Sequence, residues 1–177
     1  MSGGIRSRLR VKCRTDLNRC EGDCSVMDEK MEDGMKRIEY AEELHKKKYN
    51  CCQSVVCAFA DCFPGMEKTL FQAAEGFGLG MGGMESICGA LAGACIATGM
   101  SHSDGNLEAP GTKAETTKIT KEILEEFRNR CGAILCRDLK GVETKQMLCS
   151  CPDCIRTGVE LVQEKLGYGE EYPEQGS

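Results

Sequence analysis

The 177-residue sequence has no tryptophan, only four tyrosines and five phenylalanines, two histidines and four prolines. With so few aromatics, a core must be built from Leu, Ile, Val, Met, Ala and Cys, and the 41% hydrophobic content is enough for one at this length. No run reaches the roughly 18 uncharged apolar residues that a membrane-spanning helix needs. The uncharged stretch Ser86–Met100 is short and rich in Gly and Ala, so it reads as a buried core helix. No Cys-x-x-Cys-His motif is present, which argues against covalent haem. Walker loops, a catalytic triad and an acid–base pair are lacking as well, so nothing demands a substrate-specific enzyme. His45 falls in a basic helix end and His102 in a polar loop, both expected to be solvated.

Charge excludes further classes. A net charge of −5 argues against nucleic acid as a partner of the whole molecule. Arg6, Arg8, Arg10, Lys12 and Arg14 form a local basic stretch without acidic residues, which reads as a solvated arm. Residues 1–25 show no apolar export segment, so the expected location is the cytoplasm, without membrane insertion.

What the chain does have is fourteen cysteines. Outside an exported mini-protein, so many cysteines point to metal or redox chemistry rather than to a disulfide scaffold.

The hydrophobic spacing is helical, with no convincing strand and no internal repeat, so the expected class is all-α: a single-domain bundle of about five or six helices. Three regions are expected: a cysteine-containing arm (1–24), a helical redox domain (25–166) and a flexible acidic tail (167–177). A helix should begin at Ser25 and carry the stripe Met27, Met31, Met35, Ile38, Ala41 and Leu44 up to His45–Lys48. Asn50 can cap a helix over Cys51–Phe63 that is apolar all round and therefore buried. A short helix should follow over Met66–Glu75, a glycine-rich loop over Gly76–Gly83, and the small-residue helix over 84–99. A polar loop spans Ser101–Lys113. Thr112 and Glu115 suggest a capping box for a helix faced by Ile119, Ile123 and Phe127. A small helix is expected over Thr144–Cys149. The last helix should run from Pro152 to Leu166, with Cys151 as N-cap and Gly167 as stop.

Gly78, Gly80 and Gly83 satisfy G-x-G-x-x-G, but that fingerprint needs a preceding strand and here follows a helix. These glycines are better read as letting backbone pass close to something buried, such as a cysteine centre. Gly89 and Gly93 share a helix face, which admits a close helix neighbour. In Cys149-Ser-Cys151-Pro-Asp-Cys154, Pro152 puts Cys151 and Cys154 at a helix start, where thiolates are stabilised. A Cys-x-x-Cys of this kind serves as a zinc half-site, a dithiol pair or a cluster edge. The remaining local pairs, Cys20 with Cys24 and Cys131 with Cys136, are too dispersed to specify a zinc site.

One order of residues is distinctive: Asn50-Cys51 with Gln53, then Cys88-Gly-Ala-x-x-Gly93, then Phe127 and Gly132-x-x-x-Cys136-Arg-Asp-Leu, then Cys151-Pro. It resembles the C_GCAxxG_C_C family of bacteria and archaea, named for four cysteines in that order and associated with redox activity. The resemblance covers about residues 36–166. A related helical domain occurs in split-Soret cytochromes beside haem and a non-haem iron centre. The resemblance implies that Cys51, Cys88, Cys136 and Cys151 hold an iron–sulfur cluster, with Cys52, Cys95, Cys131 and Cys154 as secondary candidates. It also implies an electron-transfer role with a redox partner protein, and a homodimer. This chain departs from the pattern by doubled neighbours (Cys52 beside Cys51, Cys154 near Cys151) and by Cys13, Cys20 and Cys24 in the arm. Two alternatives stay open. One is a metal-free thiol/disulfide protein using Cys151 or Cys88 as nucleophile; the other is a zinc-binding helical module.

Overall fold

The apolar spacing resolves into seven α-helices in the computed structural model, which describes residues 35–172: α1 (Arg37–Lys46), α2 (Cys51–Cys57), α3 (Glu67–Glu75), α4 (Gly89–His102), α5 (Lys113–Cys131), α6 (Cys136–Lys140) and α7 (Cys151–Leu166). A 3-10 turn (Ala60–Cys62) follows α2, and no strand occurs among the described residues. The class is all-α, as the periodicity indicates. The proposed arm with Cys13, Cys20 and Cys24, and the expected helical stretch 25–34, lie outside the described residues.

Three helices, α2, α4 and α7, form the centre, with α1 and α5 against α7 and α3 against α2. The core is aliphatic: Val55 and Val56 of α2, Leu91 of α4, Ile123 and Phe127 of α5, and Ile155, Val159, Leu161 and Val162 of α7 are all buried completely. Each such side chain contributes about 1.5–3 kcal/mol relative to exposure. α4 can approach α2 this closely because of Gly93. A Cβ there would lie 2.7 Å from the Cys52 carbonyl oxygen and 2.9 Å from Val55 Cβ, so the two backbones touch.

Several boundaries differ from expectation, each for a tertiary reason. α1 begins only at Arg37, after the extended Lys36. The Arg37 amide donates to the Glu170 carbonyl (2.7 Å) and the Tyr172 amide to the Met35 carbonyl (2.9 Å), so the chain pairs with residues 170–172 instead of continuing as helix. The same bonds tie down residues expected in a flexible tail. Tyr172 is buried and stacks on Tyr40 with ring centroids 4.0 Å apart. α2 stops at Cys57 instead of running to Phe63. Arg37 Nη1 takes the Ala58 carbonyl (2.7 Å), an acceptor a longer helix would use, and the guanidinium pairs with both Asp61 oxygens at 2.6 Å.

α4 starts at Gly89 rather than 84, because residues 84–88 pair with 134–137. Cys88 donates to the Ile134 carbonyl (2.8 Å), Cys136 to Ser86 (3.0 Å) and Arg137 to Met84 (3.0 Å). The expected capping box of α5 does not form: the Thr112 side chain caps nothing in α5 and its hydroxyl instead accepts the Asp104 amide. No helix spans Thr144–Cys149. The Leu148 and Cys149 amides both donate to the Leu139 carbonyl, which holds that segment as a strap. α7 starts one residue early: Ser150, not Cys151, is the N-cap and accepts the Asp153 amide. It ends before Gly167, as expected.

Candidate metal centre

Cys51, Cys88, Cys136 and Cys151 all line one cavity of about 240 Å³. Each comes from the start of a different helix. Cys51, Cys136 and Cys151 are the first residues of α2, α6 and α7, and Cys88 is the N-cap of α4. The local reasons are distinct. Asn50 fixes Cys51 through a full capping box with Gln53: its side chain accepts the Cys52 and Gln53 amides at 2.9 and 3.0 Å, and the Gln53 side chain accepts the Asn50 amide at 3.0 Å. The pairing of 84–88 with 134–137 sets Cys88 beside Cys136. Ser150 and Pro152 fix Cys151.

The glycine-rich segment, expected as loop, forms a tight left-handed turn over Gly78–Met81 behind Cys136. Gly80 has φ +56°, and a Cβ on it would fall 2.6 Å from Cys136 Cβ. Its neighbours Leu79 (φ +51°) and Met81 (φ +59°) adopt the same hand, at about 1–2 kcal/mol each. Leu79 contributes to the cavity wall together with Leu139.

Cys88 and Cys136 are buried, while Cys51 and Cys151 are half-buried. The Cys51 thiol hydrogen-bonds to Cys151, and that bond is the main reason the Cys151 thiol is lowered to about 5. Lys140 donates to the same sulfur and adds its charge, with a smaller contribution from His45. Cys51, as the donor, is pushed up correspondingly, with burial acting in the same direction. The pair therefore shares one proton, and the Lys140 ammonium beside Cys151 places the negative charge there. Cys88 is lowered by a hydrogen bond from Cys154 and by the Ala90 and Leu91 amides of the first turn of α4. Burial pushes Cys136 up.

A second group of thiols adjoins the first. The sulfurs of Cys131, Cys149 and Cys154 lie within 4.8 Å of one another, close enough to hold a metal ion. Cys131 ends α5, Cys154 lies in the first turns of α7, and Cys149 sits on the strap between. Cys154 also contacts Cys88, and Cys149 and Cys154 contribute to the cavity wall.

Of the secondary candidates, Cys131 and Cys154 thus belong to a thiol group, whereas Cys52 and Cys95 do not line the cavity. Burial pushes Cys52 up to about 12 and Cys95 to about 11, the behaviour of packing residues. Cys131 does not partner Cys136. Several cavity residues escaped the sequence reading, Cys149 among them. His45 is half-buried on the cavity wall with Nδ1 3.0 Å from the Tyr49 carbonyl, not solvated. Asn50 lines the cavity as well as capping α2. Lys140 was signalled by its position four residues after Cys136, on the same face of a short helix.

The fold and site define an all-helical protein centred on thiols delivered by separate helix starts. Residues 49–165 match the C_GCAxxG_C_C family, described as "Putative redox-active protein", and the chain belongs to that family. The matched span contains every cysteine of both thiol groups. No curated protein and no solved structure matches the chain.

Proposed function

We propose that Cys51, Cys88, Cys136 and Cys151 hold an iron–sulfur cluster and that the protein carries electrons between redox partners. The observation that carries this reading is the convergence of four cysteines, from four helix starts, on one cavity of about 240 Å³. Four thiolates are the usual shell of such a cluster. Among the described residues only Cys131, Cys149 and Cys154 are gathered as tightly as a single ion needs. No three of the four cavity sulfurs lie that close together, and the cavity of about 240 Å³ that they line leaves room for an inorganic body. Gly80 leaves room for that packing behind Cys136. A bound cluster would supply one-electron transfer.

The chain's own residues then have definable tasks. The Ala90 and Leu91 amides donate to the Cys88 sulfur, the type of bond that raises a cluster's potential. Lys140 offsets thiolate charge at Cys151. Leu79 and the buried Leu139 supply apolar wall. The setting proposed is the cytoplasm, where thiols stay reduced.

Protein purified and reconstituted without oxygen is expected to bind iron and sulfide, absorb in the visible and give a paramagnetic signal on reduction or oxidation. Cys136→Ser should lower the iron content while keeping the helical circular dichroism. A colourless, iron-free wild type after such treatment overturns the reading.

The Cys51–Cys151 contact favours one alternative, a dithiol/disulfide couple. Two thiols would form one S–S bond, releasing two protons and passing two electrons to an external disulfide. Loss of exactly those two thiols on oxidation, reversed by dithiothreitol and absent in Cys51→Ser, would mark that chemistry.

A further inference from the structure

We infer that Cys131, Cys149 and Cys154 form a second metal site, for a single thiophilic cation such as zinc, adjoining the four-cysteine cavity but using none of its four cysteines, and independent of whether that cavity holds iron. Three arguments carry it. The first is geometry: three sulfurs within 4.8 Å of one another can all reach one ion, at the Zn–S length of about 2.3 Å, with modest adjustment. The second is construction. The ligands come from the end of α5, the strap and the first turns of α7, and each is anchored by its own backbone bonds. The Cys149 amide donates to Leu139 and the Cys154 amide to Ser150 (2.9 Å). The Thr157 hydroxyl contacts the Cys131 sulfur, the kind of outer hydrogen bond that orients metal ligands. The third is access. Cys131 and Cys154 are buried at 3% and 2% exposure, but Cys149 is half-buried. Cys149 and Cys154 both border the cavity, which gives an ion a route in and leaves a fourth position for water or an exogenous ligand. Ligand chemistry narrows the occupant: three thiolates select soft, d10 ions over magnesium or calcium. Binding would displace thiol protons to solvent without any electron transfer.

The test uses the full chain with Cys13, Cys20 and Cys24 replaced by Ser, so that the arm contributes no thiols. After anaerobic iron–sulfur reconstitution, the protein is equilibrated with buffered free zinc, desalted and analysed for zinc and iron separately. The expected result is one zinc per chain beyond any iron. Cys149→Ala should lose that zinc equivalent, and Cys149→His, which supplies another zinc ligand, should restore it. Cys51→Ser should keep the zinc. Helical circular dichroism checks that each variant is folded; Cys131→Ser serves as a second probe if Cys149→Ala is not. Absence of zinc uptake, or uptake that survives both the Cys149→Ala and Cys131→Ser changes, overturns the inference. Loss of iron alone bears only on the cluster reading.

Discussion

Replacement of Lys140 by Met in the reduced, metal-free protein should change how Cys151 reacts across pH. The Cys151 thiol is held at about 5 by the hydrogen bond from Cys51 and then by Lys140. At about pH 6 it is then about nine-tenths thiolate, against roughly 0.3% for an ordinary thiol near 8.5. That is an excess of about 300-fold in the reactive form. A less basic thiolate is a poorer nucleophile, and a Brønsted slope of about 0.45 over about 3.5 units removes roughly 40-fold. The net expectation is alkylation roughly tenfold faster than an ordinary cysteine of equal access at about pH 6, and roughly tenfold slower at about pH 8. The profile should therefore be nearly flat between those values, with its inflection near 5. Site-resolved mass spectrometry after brief iodoacetamide pulses reads this directly, since Cys149, Cys151 and Cys154 separate on fragmentation. Lys140→Met removes both the second hydrogen bond and the nearest cation, so the inflection should move up. The depressed pKa also makes ionised Cys151 a stabilising group. Its contribution is complete above the unfolded value of about 8.5 and is lost as pH falls through about 5. A wild-type rate still climbing steeply through pH 8, or a profile indifferent to Lys140→Met, would refute the assigned charge distribution.

Other perturbations test the frame that holds the cavity. Asp61→Ala leaves the buried Arg37 guanidinium without its carboxylate, which should cost about 3 kcal/mol in urea unfolding. Gly93→Ala gains about 1 kcal/mol of helix propensity. It also forces a methyl to within 2.7 Å of the Cys52 carbonyl, where only backbone and Val55 Cβ could yield. Overpacking of about 1–3 kcal/mol should prevail, lowering the denaturation midpoint. Thr112→Ala should stay within about 0.5 kcal/mol of wild type, since that side chain caps nothing in α5.

Much of this architecture is readable from local pattern. The stripe Ile119, Ile123 and Phe127 marks α5, and Pro152 with Gly167 brackets α7 almost to the residue. The resemblance supplies the order of four cysteines, and their common cavity then depends on packing. Features made by distant chain segments are not locally encoded. The start of α1 is decided by residues 170–172, and the start of α4 by 134–137. Neither pairing has a signature near the helix it truncates. The thiol trio is hidden for the same reason: Cys131 meets Cys149 and Cys154 only because the strap folds back onto Leu139. The Thr112 box fails because Thr112 takes near-helical dihedrals (φ −94°, ψ −5°) instead of the extended N-cap conformation, and its hydroxyl serves the Asp104 amide of its own loop. His45 was misread because a helix end rich in lysine suggests solvent, whereas its ring turns inward to the Tyr49 carbonyl.

Cys51 and Cys151 lie on opposite sides of the cavity's order along the chain, with the last wall belonging to α7. Cys151 follows Cys51 by 100 positions and Cys88 by 63, so α7 is the last part of the wall to be synthesised. Any occupant held by all four sulfurs can therefore gain its full set of ligands only once the beginning of α7 has been made.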